Sequence, residues 1–211
     1  MYVERSAMGT LSKQQLRIKE TQSRLLNAAE AVFVRDGYEG AQLDEIAAMA
    51  GRSKGAVYGH FKNKEDLFLV LFEHRTRASL DRLVAGLREC TTREQSVKTF
   101  REFYVRLAQD RTWPILTLEF KLFALRYPES KERLRKAFEM SRATNDTAQY
   151  EQLFGQLSRR SKTENDLALI ALGPIASGLI LESNFEPEIL TEKGLRSILG
   201  HLFDALFPAT R

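Results

Sequence analysis

The chain has 211 residues, of which 43% are hydrophobic and 28% are charged, and its formal net charge is +4. This length and composition allow a substantial buried core, which excludes an intrinsically disordered protein. Its single cysteine, Cys90, excludes an intramolecular disulfide, and no Cys/His cluster has metal-ligand spacing, so neither a zinc site nor a disulfide framework is predicted.

The composition also indicates where the protein acts and which kind of fold it has. No segment has the pattern of a signal peptide, and no apolar stretch approaches the ~20 residues of a membrane span. We therefore expect a cytoplasmic protein without membrane contact. Five prolines and 12 glycines are few for an all-β chain, so the predicted fold is all-α.

The first predicted helix follows a flexible basic tail, residues 1–15, which is polar and shows no periodicity. From Ile18, apolar residues recur at helical spacing as far as Phe33. The pattern stops at Gly37, because glycine readily takes the left-handed conformation that ends a helix.

Two short helices come next. Leu43, Ile46 and Ala47 mark an amphipathic run over residues 43–50, and Ser53 is a suitable N-cap for a third helix over residues 54–61. Residues 16–63 are thus predicted to form a three-helix domain with a helix-turn-helix.

The remainder, residues 64–211, is predicted to be a larger helical domain, which brings the total to about nine helices. Asn63 is expected to cap the first of its helices, which is long enough to connect two domains. The predicted helices of this part cover residues 64–90, 97–108, 113–127, 129–157, 164–183 and 192–207.

The third helix carries the surface that points to a function. Between Gly51 and Lys64 the chain has four cations and no acidic residue. The helix combines cations with a hydroxyl, an imidazole and the open backbone of glycine. Such groups can contact the phosphates and base edges of duplex DNA. Taken singly, Tyr58 could cover the edge of the core and His60 could simply face solvent. Their occurrence on one face of an acid-free helix favours the DNA-binding interpretation.

The same residues resemble a known family. The segments Ser23–Ala29, Phe33, Gly37–Tyr38, Asp44–Ala47 and Ala50–Leu67 are similar to the DNA-binding domain of TetR/AcrR transcriptional regulators, over about residues 17–75. The rest of the chain resembles that family in its helical layout only.

The resemblance implies a recognition helix over Lys54–His60. Tyr58, His60 and Lys64 are then expected on phosphates, with Lys54 and Gly55 near bases. Where many relatives carry Thr or Ser before the second helix, this chain has Ala41 and Gln42, so Gln42 is at best a weak substitute. The predicted DNA-binding residues are Gln42, Arg52, Ser53, Lys54, Gly55, Tyr58, His60 and Lys64.

A small-molecule site is expected in the second domain. The helix over residues 113–127 is apolar around most of its circumference and must be central. Such aromatic stripes are more often packing than ligand contacts, and Glu119 is more simply explained by an ion pair with Arg126 than by a ligand. The candidate ligand-binding residues are Phe103, Trp113, Leu116, Glu119, Phe120, Phe123, Tyr150 and Phe154.

The last two helices carry continuous apolar faces. In the family that the chain resembles, these helices pair with their copies in a second subunit, which implies an isologous homodimer. Alternatively, both faces could be buried inside one subunit. The predicted interface consists of Leu167, Ile170, Ala171, Ile175, Gly178, Leu179, Leu195, Ile198, Leu199, Leu202, Phe203 and Leu206.

Together these features predict a transcriptional regulator, a repressor by family resemblance, that binds a palindromic operator as a dimer and is released by a small molecule of unknown identity. A DNA-binding protein without a small-molecule ligand is the alternative. A helical enzyme or adaptor is disfavoured, since His60, His74 and His201 are scattered and no nucleophile has a base at motif spacing. No cofactor or metal is expected.

Overall fold

The computed structural model describes residues 12–130, 132, 133, 135 and 162–206. Within these residues the chain forms eight α-helices and no strand, which confirms the predicted all-α fold. A 3-10 turn, Pro128–Ser130, follows the sixth helix, and the helix predicted over 129–157 otherwise lies almost wholly outside the described residues. The helices are α1 (Lys13–Gly40), α2 (Leu43–Met49), α3 (Lys54–His60), α4 (Lys64–Arg88), α5 (Arg93–Gln109), α6 (Thr112–Arg126), α7 (Lys162–Phe185) and α8 (Glu192–Leu206).

The chain divides into two compact units, Met1–Leu71 and Phe72–Arg211, and the division falls within α4. The predicted boundary was the first residue of α4. The difference arises because the start of this helix belongs to the core of the first unit. Phe68 is fully buried there, with its ring edge-on to Phe33 at 4.7 Å between centroids.

Helix α1 begins earlier than predicted. Ser12 accepts a hydrogen bond from the N–H of Gln15 (3.2 Å), and the Gln15 side chain accepts one from the N–H of Ser12 (2.9 Å), which forms a capping box. Residues 13–15, assigned to the tail, are therefore helical. Ile18, with which the apolar pattern begins, is 49% exposed, because the helix is exposed throughout residues 13–20.

The core of the first unit is formed by the inner faces of α1, α2, α3 and the start of α4. Gly37 interrupts α1 with φ 70° and ψ 177°, a backbone conformation that is accessible almost only to glycine, and this agrees with the predicted end of the first helix. The largest buried residues here are Leu25, Val32, Phe33, Ile46, Val57, Phe61, Leu67 and Phe68.

In the second unit, α5, α7, α8 and the later part of α4 share a core. One cluster joins Leu83 of α4 with Phe100, Leu172 and Phe203, and the next joins Val105, Ala176, Ile180, Leu195 and Leu199. The prediction that α6 is central holds for one side of the helix only: Leu116 and Phe120 are fully buried, and the Phe120 ring lies 3.9 Å from that of Phe72. On the other side, Ile115, Leu118 and Leu125 are 41–76% exposed.

Gly51, in the turn between α2 and α3, has φ 64°, and we expect alanine there to destabilise the protein. The left-handed conformation costs a non-glycine residue about 1–2 kcal/mol. Gly59→Ala is the matched control, since Gly59 lies in helix α3 outside the left-handed region and its Cβ would meet no atom within 4 Å. This control should stabilise by about 0.5–1 kcal/mol. Urea unfolding followed by circular dichroism measures both, and effects of the same sign would contradict the account.

Candidate nucleic-acid interface

The turn between α2 and α3 is built by backbone hydrogen bonds. The N–H of Gly51 donates to the carbonyl of Ala48 (3.0 Å), and that of Arg52 donates to the carbonyl of Ala47 (2.9 Å). The left-handed Gly51 reverses the chain, and Ser53 then begins α3 by accepting a hydrogen bond from the N–H of Ala56 (3.3 Å). This geometry is that of a helix-turn-helix.

Helix α3 buries only Val57 and leaves most of its surface accessible. Lys54, Gly55, Tyr58 and Gly59 are exposed, with Tyr58 at 51%, and His60 is half-buried. Tyr58 is a large aromatic residue that the fold does not cover. The predicted contact residues of α3 are therefore brought together on an accessible face.

The two glycines of this face have no structural reason within the protein. A Cβ on Gly59 would meet no atom within 4 Å, and one on Gly55 would meet only the Ser53 hydroxyl at 3.7 Å, an ordinary contact. Glycine inside a helix costs about 1 kcal/mol relative to alanine. A helix of seven residues with two such glycines leaves its backbone open to close approach from outside.

Lys54 has an acidic partner that sequence analysis missed. Its Nζ lies 2.9 Å from Oδ1 of Asp44, in the first turn of α2, and the hydrogen bond to Asp44 raises the pKa of Lys54 above its usual value. The two side chains are 55% and 66% exposed. An ion pair this exposed contributes little to stability, so Lys54 can exchange Asp44 for another anion at small cost.

Lys64 is held within the first unit. Its ammonium donates to the carbonyls of Glu39 (3.1 Å) and Ala41 (3.3 Å), where α1 ends, and lies 4.7 Å from the centre of the Tyr38 ring. The side chain is thus a brace between α1 and α4. Its predicted phosphate contact competes with these interactions and stays a prediction.

Gln42 and Asn63, which precede α2 and α4, differ in whether their side chains cap the helix that follows. Gln42 makes no side-chain cap to α2 and donates only a long hydrogen bond to the carbonyl of Gly40 (3.4 Å), as its weak role implied. Asn63 caps α4 as predicted by accepting from the N–H of Asp66 (2.8 Å). Asp66 in turn accepts from the N–H of Lys62, whose exposed side chain adds a cation that was omitted from the predicted set.

Arg52 and Ser53 flank the turn. The Arg52 guanidinium donates to the carbonyl of Gly51 (3.1 Å), and its side chain is partly exposed. The Ser53 hydroxyl oxygen already accepts the cap hydrogen bond, yet the residue is exposed, so its O–H remains able to donate. Both residues are available for the contacts predicted of them.

The second unit contains a cavity of about 130 Å³ between α5, α6 and α7. Of the candidate ligand-binding residues, Trp113 lines it. Leu116, Phe120 and Phe123 are instead buried in the core, Phe103 packs on the cluster around Phe100, and Glu119 is partly buried. Tyr150 and Phe154 lie outside the described residues. The apolar wall includes Leu107, Trp113, Pro114, Leu118, Ile180 and Leu181.

Trp113 also connects the cavity to α4. Its ring stacks on Phe72 at 6.0 Å and lies 5.7 Å from the Arg75 guanidinium. Arg75 is bound to Asp110 (2.6 Å), which also accepts hydrogen bonds from Thr112 and from the N–H of Trp113 at the start of α6. Burial opposes ionisation of Asp110, but the Thr112 and Arg75 hydrogen bonds outweigh it and lower its pKa.

The structure exposes some residues of the predicted dimer interface and buries others. On α7, Leu167, Ile170 and Ile175 are 44–58% exposed, Gly178 is exposed, and Ala171 and Leu179 are partly buried. On α8 the assignment needs correction. Leu195, Leu199 and Phe203 are at most 2% exposed, since they fill the subunit's own core, whereas Ile198 is 42% exposed and Leu202 and Leu206 are partly buried. An exposed apolar stripe therefore remains on α7.

In the part of the chain that the structure describes, no three His, Cys, Asp or Glu residues are grouped so that they could hold a metal ion. None of the described helices combines the length and the hydrophobicity of a membrane span.

The first unit of the chain is similar to known proteins. Residues 25–71 match the family described as bacterial regulatory proteins, tetR family. The fatty acid metabolism regulator protein of Bacillus subtilis is 31% identical over 94 residues, covering 44% of this chain and 48% of that protein. The transcriptional activator FasR of Mycolicibacterium smegmatis is 40% identical over 86 residues, covering 41% and 37%. The chain thus matches half or less of the length of these relatives.

Solved structures extend the likeness to the whole fold. The transcriptional regulator FadR from Bacillus subtilis, in complex with stearoyl-CoA, has a TM-score of 0.63 and 20% identity, covering 90% of this chain and 99% of that one. At this identity the likeness concerns the fold, an N-terminal helix-turn-helix followed by a larger helical domain.

Proposed function

We propose that this chain, whose residues 25–71 match the tetR family of bacterial regulatory proteins, is a ligand-responsive repressor of that family that binds a palindromic operator as a homodimer. The observation that carries the proposal is the exposed face of α3. It presents Lys54, Tyr58 and two glycines whose space the protein itself leaves open. As a regulator of transcription it acts in the cytoplasm, where the DNA is.

Some residues of this face contact the phosphates of the DNA, and others contact the edges of its bases. The Tyr58 hydroxyl and the His60 imidazole donate to phosphates, which fixes the position of α3 without reading sequence. Lys54 leaves Asp44 to contact a base edge, and Gly55 lets the helix backbone approach the floor of the major groove. Arg52 and Ser53 add donors at the entrance of the helix.

A binding titration separates these roles. Tyr58→Ala and His60→Ala should each weaken binding about tenfold on every duplex, because a lost phosphate contact is independent of sequence. Lys54→Ala should instead change the preference among duplexes that differ at one position. The measurement is an electrophoretic mobility titration on a selected operator and on single-base variants of it. Three variants with wild-type affinity and preference would overturn the assignment.

Dimerisation explains how a palindrome is read. Two copies of α3 enter successive major grooves when they lie one DNA turn apart, about 34 Å. The exposed stripe of α7 supplies the contact, since Leu167, Ile170 and Ile175 would lose water-exposed apolar area against the same residues of a second copy.

Regulation follows from the position of Trp113. A ligand in the cavity touches this ring, and the ring rests on Phe72 and Arg75 of α4. Helix α4 is continuous with the first unit through Lys64. A ligand that favours one position of α4 shifts the spacing of the two recognition helices and lowers operator affinity. By thermodynamic linkage, bound DNA lowers the affinity for the ligand by the same free energy.

The small cavity also favours a second candidate, a DNA-binding regulator without a small-molecule effector. At about 130 Å³ it is below the 300–1,000 Å³ of most ligand pockets. The DNA titration does not distinguish the two candidates, but ligand binding to the second unit does.

A further inference from the structure

We propose that the cavity between α5, α6 and α7 is a binding site for a small monocarboxylate with an apolar body. The assignment names the chemical class of the effector, and only its regulatory consequence rests on the proposed function. Three features of the cavity support it: an apolar wall, a buried hydroxyl without a partner, and a cation at its edge.

The buried hydroxyl belongs to Thr117 of α6. The residue is 7% exposed and lines the cavity, and Oγ1 has no hydrogen-bond partner among the residues that the structure describes. Leaving a buried hydroxyl unsatisfied is unfavourable, so such groups normally have a partner in the protein, in water or in a ligand. The oxygen itself has almost no accessible surface, so it becomes a donor for a ligand oxygen when the Thr117 side chain turns to its other helical rotamer and brings the hydroxyl to the cavity wall.

The cation is Lys121, four residues further along α6 and therefore on the same side of the helix as Thr117. It forms no ion pair with any residue that the structure describes. A ligand that extends from Thr117 towards this ammonium meets a hydroxyl donor and then a positive charge. A carboxylate satisfies both, since one oxygen accepts from Thr117 and the charge faces Lys121.

Tyr104 supplies a further polar group in the same wall. Its ring packs on Phe100 and Phe203, and its hydroxyl, which like any tyrosine hydroxyl is protonated at neutral pH, has a pKa that burial raises further. It can donate a hydrogen bond but cannot repel an anion. The hydroxyls of Tyr104, Thr117 and Ser177 can each donate or accept, and Lys121 is the charged residue in the lining, which favours an anionic ligand over a cationic one.

The volume limits the size of the ligand. A cavity of about 150 Å³ accommodates benzene, so the present one, at about 130 Å³, holds a body of about six carbon atoms. The five-carbon chain of hexanoate is within this limit when its carboxylate lies at the edge of the cavity near Lys121, and hexanoate absorbs no light near 280 nm. Since it has few atoms, we expect a dissociation constant between about 0.1 and 10 mM.

Trp113 gives a direct measurement, because it is the only tryptophan of the chain and lines the cavity. The intact protein is titrated with hexanoate, 1-hexanol or hexylammonium while its tryptophan fluorescence is recorded. Hexanoate should give a saturable change with a dissociation constant at least about tenfold below that of hexylammonium. No saturable change, or equal affinities for the three compounds, would overturn the proposal.

Two substitutions test the polar groups. Lys121→Gln should raise the dissociation constant of hexanoate about tenfold and leave that of 1-hexanol unchanged. Thr117→Val should weaken both ligands, yet leave the melting temperature of the free protein unchanged or higher, because it removes an unsatisfied buried hydroxyl. Lys98→Gln, an exposed lysine of α5 that does not line the cavity, is the matched control. Unchanged hexanoate binding in both cavity variants would overturn the site.

A second titration separates this site from DNA binding. Operator affinity is measured with and without saturating hexanoate. Failure of hexanoate to bind would overturn the site and leave the DNA-binding function intact. Binding with unchanged operator affinity would support the site and overturn its regulatory role.

Discussion

Gly55→Glu should abolish operator binding while the protein becomes more stable. The new side chain enters open space, since a Cβ at this position meets only the Ser53 hydroxyl at 3.7 Å. A carboxylate in the first turn of α3 is favoured by the helix dipole, and the loss of glycine adds about 0.5–1 kcal/mol of helix propensity. Against DNA the same side chain occupies the approach surface and repels phosphate, so affinity should fall at least about a hundredfold.

Protein stability should rise while operator affinity falls, and this combination distinguishes the loss of a contact surface from a folding defect. Thermal unfolding and a mobility titration of the same preparation measure them. Gly55→Gln adds a side chain of the same size without the charge, so it separates the steric effect from the electrostatic one. Ala31→Glu places the same negative charge at an exposed position of α1 in the same unit. Ala31→Glu should change affinity by less than about threefold. Wild-type affinity in Gly55→Glu would mean that α3 does not face DNA.

Ile175→Glu should convert the proposed homodimer to a monomer. Ile175 is 44% exposed in the middle of the apolar stripe of α7, and in an isologous interface the residues at the centre of the patch, next to the two-fold axis, are those that meet their own copies. Two facing carboxylates without a partner cost several kcal/mol. The molar mass by light scattering should fall from that of two 24.1 kDa chains to that of one, and operator affinity should fall at least about a hundredfold.

Leu125→Glu is the control for this substitution. Leu125, on α6, is 76% exposed, more than Ile175, and lies outside the predicted interface. Its replacement should leave both the molar mass and operator affinity unchanged. A dimer that survives Ile175→Glu and dissociates with Leu125→Glu would place the subunit contact on α6 instead.

The helix-turn-helix was predictable because its determinants are local. Gly37 and Gly51 mark the places where the backbone takes conformations that other residues avoid, and Ser53 provides the cap that starts α3. These signals lie within a few residues of the positions that they affect. The exposed face of α3 followed from the same short segment.

The interactions of the site were less predictable because they join distant residues. Asp44 lies ten residues before Lys54, and the carbonyls that hold Lys64 belong to the end of α1. An apolar helical face likewise does not specify its neighbour. Leu199 and Phe203 fit a dimer interface as well as a subunit core, and only their burial against α5 and α7 decides for the core.

The cavity could not be read from the aromatic stripe of α6. Leu116 and Phe120 dominate that stripe by size, yet they fill the core completely. Thr117 marks the cavity instead, as a buried hydroxyl between the apolar residues Leu116 and Leu118. Its meaning depends on the absence of a hydrogen-bond partner among the described residues, which a sequence does not show.

The central claim, that α3 sits in the major groove of duplex DNA, is tested most directly by selecting duplexes from a random pool with the purified protein. We expect enrichment of an inverted repeat whose half-sites are about one helical turn apart, and no enrichment with Gly55→Glu. Affinity for the selected duplex should fall steeply as salt increases. A pool recovered unchanged by the wild-type protein at low salt would contradict the claim.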